Sequence, residues 1–281
     1  VAGMFYAGDE KSLREQIETA FFDSLGPGRL PAAPDSPLSN ILGIVSPHAG
    51  YMYSGSAAAT AFHHLAEDGR PDVAIILGPN HRGLGAPASI MEQGSWETPL
   101  GEISIDENIA ASLLNACPYI QTDSFAHRLE HSLEVQVPFL QYVFGNKIKI
   151  VPVTIAVPAI PEAKMFAKEL GSAIASTLQG ASGVVIASTD MTHYESKALA
   201  WRNDAVAIEA IEDLNAEKLI DTVSENGITM CGAVPVAVAV EACKLLGAAK
   251  AELLQYYTSG DITGDDDQVV GYAAMKMIRN R

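Results

Sequence analysis

Residues 41–55 read ILGIVSPHAGYMYSG, in which a short apolar run passes directly into a polar segment. Further apolar and β-branched runs occupy residues 73–77, 148–155 and 184–188. Runs this apolar are typical of strands that are buried on both faces, as in parallel sheets. Because segments with helical spacing lie between these runs, the sequence predicts an α/β fold.

The same periodicity predicts the remaining elements. Helices are predicted at residues 9–25, 54–67, 106–115, 132–144, 161–178, 203–225 and 232–246, with Asp9 and Ser132 as caps of the first and the fourth. A proline-rich loop is predicted at 26–40, a hairpin at 88–105, final strands at 251–257 and 269–278, and an acidic turn at 259–267. Strands that alternate with helices predict one three-layer α/β/α domain over residues 1–281, with a mainly parallel central sheet.

The charge of the chain limits the classes of partner. The 281 residues include 34 acidic and 18 basic side chains, which give a formal net charge of −16. This excess of acidic groups argues against nucleic acid and anionic membranes as partners, since both are bound through clustered Lys and Arg. Apolar residues make up 48% of the chain, enough for a sizeable core, so a mainly disordered chain is excluded.

Cysteine content and hydropathy indicate the compartment. Cys117, Cys231 and Cys243 are too few and too scattered for a disulfide framework, so a reducing compartment is expected. The most apolar stretch, 228–240, is shorter than the ~20 residues that a membrane-spanning helix needs. We therefore expect a cytoplasmic protein without membrane contact, and the apolar composition is compatible with a homodimer.

Polar side chains crowd the segments that directly follow three of the predicted strands. They are His48, Tyr51 and Tyr53 after the first strand, Asn80 and His81 after the second, and Asp190, His193 and Tyr194 after the run at 184–188. In open α/β sheets, ligands bind outside the carboxyl ends of the strands, where the loops converge. Parallel strands would bring these side chains to one edge of the sheet, where we expect a functional site.

Cys231 is a further candidate for this site. It lies in the segment ITMCGAVP, immediately before a predicted helix whose first turn contains Pro235. A thiol at a helix N-terminus is expected to favour the thiolate, which binds metals and attacks electrophiles. The alternative is a buried and inert thiol, which is the usual state of a free cysteine.

These residue types match a transition-metal site. Two neutral imidazoles and one anionic sulfur form a common three-ligand site that leaves a coordination position open. His48, His81 and Cys231 would supply those ligands, and Asp190 and His193 are alternative ligands or acid–base groups. Nitrogen and sulfur donors favour iron, zinc or copper over magnesium or calcium.

A competing motif is HRLEH at residues 127–131, which matches the H-x-x-E-H pattern of zinc peptidases. On a helix its two histidines would share a face. However, the pattern is short, and it precedes the helix that Ser132 is expected to cap. His131 is still expected to reach the pocket. The sequence contains no P-loop and no G-x-G-x-x-G after a strand, so no nucleotide cofactor is predicted.

At these residues the sequence resembles the Memo family, which is named for a mediator of cell motility. Archaeal and bacterial members are called component B of the AmmeMemoRadiSam system. The resemblance extends almost end to end through an ordered series of segments. They are AGMFYAGD (2–9), GIVSPHAGYMYSG (43–55), ILGPNHRG (76–83), SWETPLGEISID (95–106), AHRLEHSLEVQVPFL (126–140), STDMTHY (188–194), MCGAVPVAVAVEA (230–242) and TSGDITGDDDQVVGYAAM (258–275).

The resemblance implies a fold similar to that of class III extradiol dioxygenases, which hold Fe(II) through two histidines and a glutamate. It implies that His48 and His81 are metal ligands and that Cys231 takes the place of the third. Asp190 and His193 match the remaining polar pair of the pocket. His131 matches the histidine of the family's EHS segment.

Three functions are compatible with these residues. The first is a metal-dependent redox or dioxygenase-like enzyme, with iron as the expected metal and copper or zinc as alternatives. Its expected catalytic residues are His193, Asp190 and His131. Tyr53 and Asn80 are expected to contact the substrate, an aromatic diol.

The other two functions differ in class. One is a non-catalytic module that binds a peptide or a partner protein through the same pocket, which fits the family's link to motility signalling and to radical-SAM proteins. The other is a metal-independent thiol hydrolase. In that enzyme Cys231 would be the nucleophile, activated by His48 or His193, with Asp190 orienting the base.

Overall fold

The structure, a computed structural model, describes residues 1–32, 36–156 and 160–280. Residues 33–35 belong to the predicted proline-rich loop 26–40 and lie outside the described residues, as do 157–159 and 281. The prediction of one domain over residues 1–281 includes these positions and stays a prediction.

Strands and helices alternate along most of the chain. The strands are β1 (Ile41–Ser46), β2 (Val73–Pro79), β3 (Ala88–Ile90), β4 (Ser95–Thr98), β5 (Gly101–Ser104), β6 (Gln121–Thr122), β7 (Lys149–Ile155), β8 (Gly183–Ser188), β9 (His193–Glu195), β10 (Ala248–Thr258) and β11 (Val269–Arg279). The helices are α1 (Glu10–Phe22), α2 (Tyr51–Asp68), α3 (Glu107–Ala116), α4 (Val137–Phe144), α5 (Ile160–Leu178), α6 (Lys197–Glu212), α7 (Ala216–Glu225), α8 (Ala233–Leu245) and α9 (Gly260–Thr263).

The main sheet has parallel strands at its centre and antiparallel strands on both sides. Its order is β10-β11-β1-β8-β2-β7-β3-β6, with β9 paired to β11. The central strands β1, β8, β2 and β7 are parallel, whereas β11 is antiparallel to β1 and β3 is antiparallel to β7. The predicted α/β class with a mostly parallel central sheet is therefore confirmed.

Helices cover the sheet and explain its apolar strands. Every residue of β1 and β2 is buried. Helix α2 packs on β1 and β11, with α1 and α4 outside it, while α8 packs on β8 and β2, with α5 and α7 outside it. A strand that is covered on both faces buries the side chains on both of its sides, which favours apolar residues throughout. These runs therefore lack the alternation of apolar and polar residues that is typical of a half-exposed strand.

Several predicted boundaries are wrong. The predicted helix at 132–144 begins only at Val137, after a 3₁₀ turn, and Ser132 does not cap it. Instead, the Ser132 hydroxyl donates to the carbonyl of Pro79. The predicted helix at 203–225 is two helices, because Leu214 adopts a φ of 50° and Asn215 caps α7 through its side chain. The acidic turn at 259–267 contains the short helix α9.

The first helix is confirmed but ends at Phe22 and not at residue 25, and the hairpin is confirmed for residues 95–104, whereas residues 88–90 form β3 of the main sheet. Helix α1 begins after Asp9, whose side chain accepts the backbone N–H of Ser12. Strands β4 and β5 form the antiparallel hairpin. Within the described residues, no helix is both long and apolar enough to cross a membrane.

Candidate metal centre

The candidate site lies at the carboxyl ends of three neighbouring parallel strands. His48 follows the end of β1 by two residues, His81 follows the end of β2 by two residues, and Asp190 follows the end of β8 by two residues. The register pairs Ser46 of β1 with Ser188 of β8, so the loops leave the sheet at the same level. The expectation that these side chains share one edge is thereby confirmed.

Three imidazoles converge at this edge. One ligand atom from each of His48, His81 and His131 lies within 4.8 Å of the other two. The rings of His81 and His131 stack with centroids 4.7 Å apart, and the ring of His48 meets both rings edge-on, at 5.2 and 5.4 Å. His48 is buried, whereas the side chain of His81 is 29% exposed, so solvent reaches the group from one side.

The hydrogen bonds of His48 determine its tautomer. Its Nδ1 atom lies 2.8 Å from the hydroxyl oxygen of Ser188. That hydroxyl donates its own proton to the carbonyl of Ser132 and also accepts from Gln136 Nε2. Ser188 must therefore accept from Nδ1–H of His48, which leaves a lone pair on Nε2. Burial lowers the pKa of His48 well below its usual value, and the neighbouring His81 adds to this effect, so the ring is neutral.

Glu130 holds His81 in the same tautomer. Its Oε1 atom accepts from Nδ1 of His81 at 2.9 Å, and its Oε2 atom accepts the backbone N–H of His81. Burial alone would raise the pKa of Glu130, but the hydrogen bonds from His81 and from the N–H of Ser132 outweigh burial and lower the pKa to about 2. Glu130 is thus ionised and accepts a hydrogen bond from the proton-bearing Nδ1 of His81, which leaves Nε2 as the nitrogen not used in this contact.

His131 lies between two rings. It stacks on Phe5, with ring centroids 4.2 Å apart, and on His81 on its other side. Its Nδ1 atom is 3.4 Å from Glu130 Oε1 and has no hydrogen-bond partner in the described parts of the chain. Burial lowers the pKa of His131 despite the nearby carboxylate of Glu130.

Cys231 contacts His48 but not the whole imidazole group. Its Sγ atom lies 3.3 Å from His48 Nε2 and accepts the backbone N–H of Asp190 at 3.3 Å. Within the described residues, the group whose ligand atoms all lie within 4.8 Å contains the three histidines and not this sulfur. Its predicted role as third metal ligand stays a prediction.

The expected thiolate at Cys231 is wrong for the protein without a bound cation. Burial, reinforced by the carboxylate of Asp190, raises the pKa of Cys231 to about 12. The N-terminus of α8, which begins two residues later, does not offset this desolvation. The sulfur is held in place because Thr189 Oγ1 accepts the N–H of Gly232, which connects the end of β8 to the start of α8.

Asp190 contacts the loop that carries His48. Its Oδ1 atom accepts the backbone N–H groups of His48 and Ala49, and its Oδ2 atom is 3.9 Å from His48 Nε2. Burial raises the pKa of Asp190, although the hydrogen bond from His48 N–H opposes this rise. The carboxylate therefore orients the backbone of the His48 loop, while its second oxygen faces the ring.

The other predicted residues lie outside this imidazole group. His193 donates from Nδ1 to the carbonyl of Thr229 at 2.9 Å, which fixes the orientation of its ring. Tyr53 lines a cleft of about 470 Å³ together with Met4, Phe5 and Met52.

Asn80, the other predicted substrate contact, donates from Nδ2 to the carbonyl of Leu84. Its buried Oδ1 atom has no hydrogen-bond partner among the residues that the structure describes. The catalytic and substrate-binding roles of His193, Tyr53 and Asn80 stay predictions.

The structure does not support the zinc-peptidase motif at 127–131. His127 ends a 3₁₀ turn and the following residues are not helical, so the two histidines do not share a helix face. The ring of His127 packs against Trp96 instead of joining the imidazole group. A short motif carries no chemistry when the backbone it assumes does not form.

Sequence reasoning assigned no role to Glu130, Ser188 or Phe5. All three lie within segments that carry the family resemblance. A carboxylate in a coil and a serine at a strand end have no periodic signal, so their contacts with the imidazoles become visible only in the structure.

Comparisons with known proteins agree with this architecture. Residues 1–276 match the protein family described as Memo-like protein. A MEMO1 family protein of Methanopyrus kandleri is 46% identical over 277 residues, which cover 98% of this chain and 96% of that protein. A MEMO1 family protein of Methanothermobacter thermautotrophicus is 45% identical over 275 residues, which cover 97% of each protein.

One solved structure with low sequence identity has a similar fold. An uncharacterized protein from Escherichia coli K12 superposes with a TM-score of 0.55 at 12% identity, over 84% of this chain and 99% of that one. At this identity the likeness concerns the fold alone.

Proposed function

The chain belongs to the Memo family, and on that premise we propose that it binds a divalent transition metal ion between His48 and His81. One observation carries the proposal: ligand atoms of His48, His81 and His131 all lie within 4.8 Å of one another. In His48 and His81 the Nδ1–H is already engaged by an acceptor, so Nε2 is the nitrogen left to bind a metal. Neutral imidazole nitrogens that converge in this way are the donors that a transition metal ion binds.

The chemistry of the donors favours iron, copper or zinc. Imidazole nitrogen suits all three metals, and sulfur excludes magnesium and calcium as natural occupants. Iron is the metal we propose first, because the family resembles the non-haem iron dioxygenases in fold. When bound, such an ion supplies Lewis acidity and, for iron or copper, redox chemistry.

Two side chains compete for the third ligand position. Cys231 is adjacent to His48 Nε2, and a bound cation would favour its thiolate despite the burial that raises its pKa. His131 has an Nδ1 atom without a hydrogen-bond partner among the described residues. We propose Cys231 as the third ligand, with His131 beside the ion as a proton acceptor.

We propose proton-transfer roles for the polar residues around the ion. His193 accepts a proton at Nε2, because its Nδ1 atom donates to Thr229. Asp190 holds the His48 loop through two backbone N–H groups and keeps its second oxygen near the imidazole. Asp190 lies in the loop after β8 and His193 begins β9, so one short stretch of chain would orient the ligand and move the proton.

The proposed substrate is an aromatic diol bound in the cleft beside Tyr53. The cleft of about 470 Å³ falls within the usual range for small-molecule sites, and Phe5 connects it to the histidines by stacking on His131. The exposed thioethers of Met4 and Met52 give this cleft an adaptable apolar wall.

Metal content measured by mass spectrometry after purification without chelators tests the proposal. We expect near-stoichiometric metal in the unaltered protein and its loss in His48→Ala and Cys231→Ser. His64→Ala is the matched control, since His64 lies on α2 outside the site. Unchanged metal content in both the His48 and Cys231 variants would overturn the proposal.

A second candidate is a peptide-binding or protein-binding module, and the same cleft favours it. Titration calorimetry with a catechol and with a tyrosine-containing peptide separates the two candidates, using the unaltered protein and Tyr53→Ala. Peptide binding that Tyr53→Ala abolishes, without turnover of the catechol by metal-loaded protein, would favour the module. Turnover without peptide binding would exclude it.

The geometry disfavours a thiol hydrolase. Cys231 and His48 are in contact, but the orienting partner of His48 Nδ1 is Ser188 and not the carboxylate of Asp190. With its pKa raised to about 12, Cys231 is protonated at neutral pH. Rapid labelling of Cys231 by iodoacetamide near pH 7, unaffected by chelators, would contradict this conclusion.

Location and partners are proposed on separate grounds. The cysteines at 117, 231 and 243 are all free, which supports a reducing compartment and hence a cytoplasmic location. We propose a radical-SAM protein as partner because of the family's association with that system, and a homodimer as the assembly state. Co-expression with a radical-SAM protein followed by gel filtration tests both proposals.

A further inference from the structure

Glu130 is a single buried carboxylate that contacts two of the converging histidines. It is 2% exposed and belongs to the three-residue turn Glu130-His131-Ser132, which lies against the ends of β2 and β8.

The carboxylate accepts four N–H groups. Oε1 accepts from His81 Nδ1 at 2.9 Å and from the backbone N–H groups of His131 and Ser132 at 2.8 and 2.9 Å, and Oε2 accepts from the backbone N–H of His81. An ionised carboxylate has about four lone-pair sites and donates nothing. All four of these hydrogen bonds hold His81 and the segment that carries His131.

We propose that Glu130 is a positioning residue, which keeps the proton of His81 on Nδ1 and thereby presents Nε2 to the metal site. A neutral imidazole carries one N–H, and a carboxylate beside Nδ1 accepts only if that N–H is there. The same contact orients the ring, which then stacks on His131 at 4.7 Å. Carboxylates with this role behind a metal-bound histidine also raise the basicity of the ligand.

The same turn acts on His48 through a different atom. The carbonyl of Ser132 accepts a hydrogen bond from the hydroxyl of Ser188. Because the single hydroxyl proton is used in this bond, Ser188 can only accept from His48 Nδ1. The segment Glu130-His131-Ser132 thus selects the Nδ1–H tautomer of two histidines that are 33 residues apart, one through a carboxylate and one through a carbonyl. The functional role of this assignment rests on the proposed metal site, whereas the assignment of the tautomers rests only on the hydrogen bonds.

Nitrogen-15 NMR of the histidine rings tests the assignment in metal-free protein near pH 8. In the unaltered protein we expect His81 and His48 each to show a protonated Nδ1 and an unprotonated Nε2. In Glu130→Ala, His81 should shift toward the Nε2–H tautomer, while His48 keeps its proton on Nδ1. Ser188→Ala should produce the reverse pattern, so each variant is the internal control of the other.

Metal affinity, measured by competition with a chromophoric chelator, provides the second readout. Loss of such an outer partner typically weakens metal binding by about 10–100-fold, and we expect this loss in Glu130→Ala. Glu97→Ala, which removes an exposed carboxylate on β4, should leave affinity and tautomers unchanged. If Glu130→Ala does not fold, Glu130→Gln tests the proposal instead. We expect this variant to show a mixture of His81 tautomers and a metal affinity between that of the unaltered protein and the roughly 10–100-fold weaker affinity expected for Glu130→Ala.

The outcomes separate this assignment from the proposed function. A folded Glu130 variant in which His81 keeps its proton on Nδ1 would overturn the positioning role, whatever the protein binds. Unaltered protein that shows the expected tautomers but binds no iron, copper or zinc would overturn the metal proposal and leave the positioning role in place.

Discussion

The Nε2 atom of His48 lies 3.3 Å from the Sγ atom of Cys231, although the two residues are 183 positions apart in the chain. The contact joins the loop after β1 to the segment before α8. Since Nδ1 of His48 donates to Ser188, this Nε2 atom carries the lone pair. A protonated thiol can donate to that lone pair, and a metal ion would replace the proton between the two atoms.

Replacement of Cys231 by serine tests this contact. We expect Cys231→Ser to weaken the binding of zinc or copper by at least about tenfold, because loss of an outer-shell partner alone costs that much. Cys243→Ser is the matched control, as Cys243 is buried in α8 away from the imidazoles. It should leave metal affinity unchanged and lower the free energy of unfolding by about 1–2 kcal/mol, the cost of burying a hydroxyl. Equal metal affinities in both variants would contradict the ligand role of Cys231.

Gly232 allows the close approach that positions the sulfur. A Cβ atom at this position would lie 2.5 Å from Thr189 Cβ and 2.6 Å from the carbonyl oxygen of Ser188. We therefore expect Gly232→Ala to push the start of α8 from the end of β8 and to displace Cys231. Its metal affinity should fall toward that of Cys231→Ser, as measured by chelator competition. An alanine variant with full metal affinity and unchanged stability would contradict this prediction, because it would show that the backbone can accommodate a Cβ atom at position 232.

The buried ring of His127 makes the stability of the protein depend on pH. Burial lowers the pKa of His127 from 6.5 to about 4. His127 therefore binds a proton below pH 6.5 in the unfolded chain but only below about pH 4 in the folded protein. Because the unfolded state binds more protons between these two values, the free energy of unfolding falls as the pH falls through this window. One such group costs about 3 kcal/mol across the window. Urea unfolding at pH 7, 5.5 and 4 measures this loss.

The matched variant for this window is His127→Phe, which retains a ring beside Trp96 but does not titrate. Its stability should fall less steeply between pH 6.5 and 4, by the equivalent of about one proton. Parallel curves for the two proteins would show that His127 is not the buried neutral group described above.

Asn215 stabilises the break between α6 and α7. Its side-chain oxygen accepts the backbone N–H of Lys218, and it follows Leu214, whose φ is 50°. We expect Asn215→Ala to lower the free energy of unfolding by about 1 kcal/mol, the usual cost of losing such a cap. Asn215→Asp keeps the acceptor and should retain most of the stability. Thermal unfolding of the three proteins tests this, and an alanine variant as stable as the others would refute the capping role.

The sequence was sufficient to predict which side chains meet at the edge of the sheet where the candidate site lies. His48, His81 and Asp190 each follow a buried apolar strand by two residues, and neighbouring parallel strands end at one edge. That argument needs only the period of the strands and their direction. For the same reason the α/β class, the capped first helix and the hairpin were predictable from local patterns.

Other features depend on contacts that no local pattern reveals. Glu130 and Ser188 become significant only through the atoms that they face, which lie 49 and 140 residues away. Serine is a preferred helix cap, but the hydroxyl of Ser132 donates to the carbonyl of Pro79 instead. A tertiary contact here outweighs the local preference for capping. The interruption at Leu214 was hidden, since an apolar residue with positive φ gives no turn signal.

The central claim is that a transition metal ion lies between His48 and His81. An anomalous difference map, collected at the absorption edge of iron from crystals of iron-loaded protein and repeated for copper and zinc, tests it most directly. We expect one strong peak within about 2.0–2.4 Å of the Nε2 atoms of both histidines, close enough for Cys231 Sγ to coordinate. A metal-loaded crystal without a peak between these rings, or with its strongest peak elsewhere on the molecule, would contradict it.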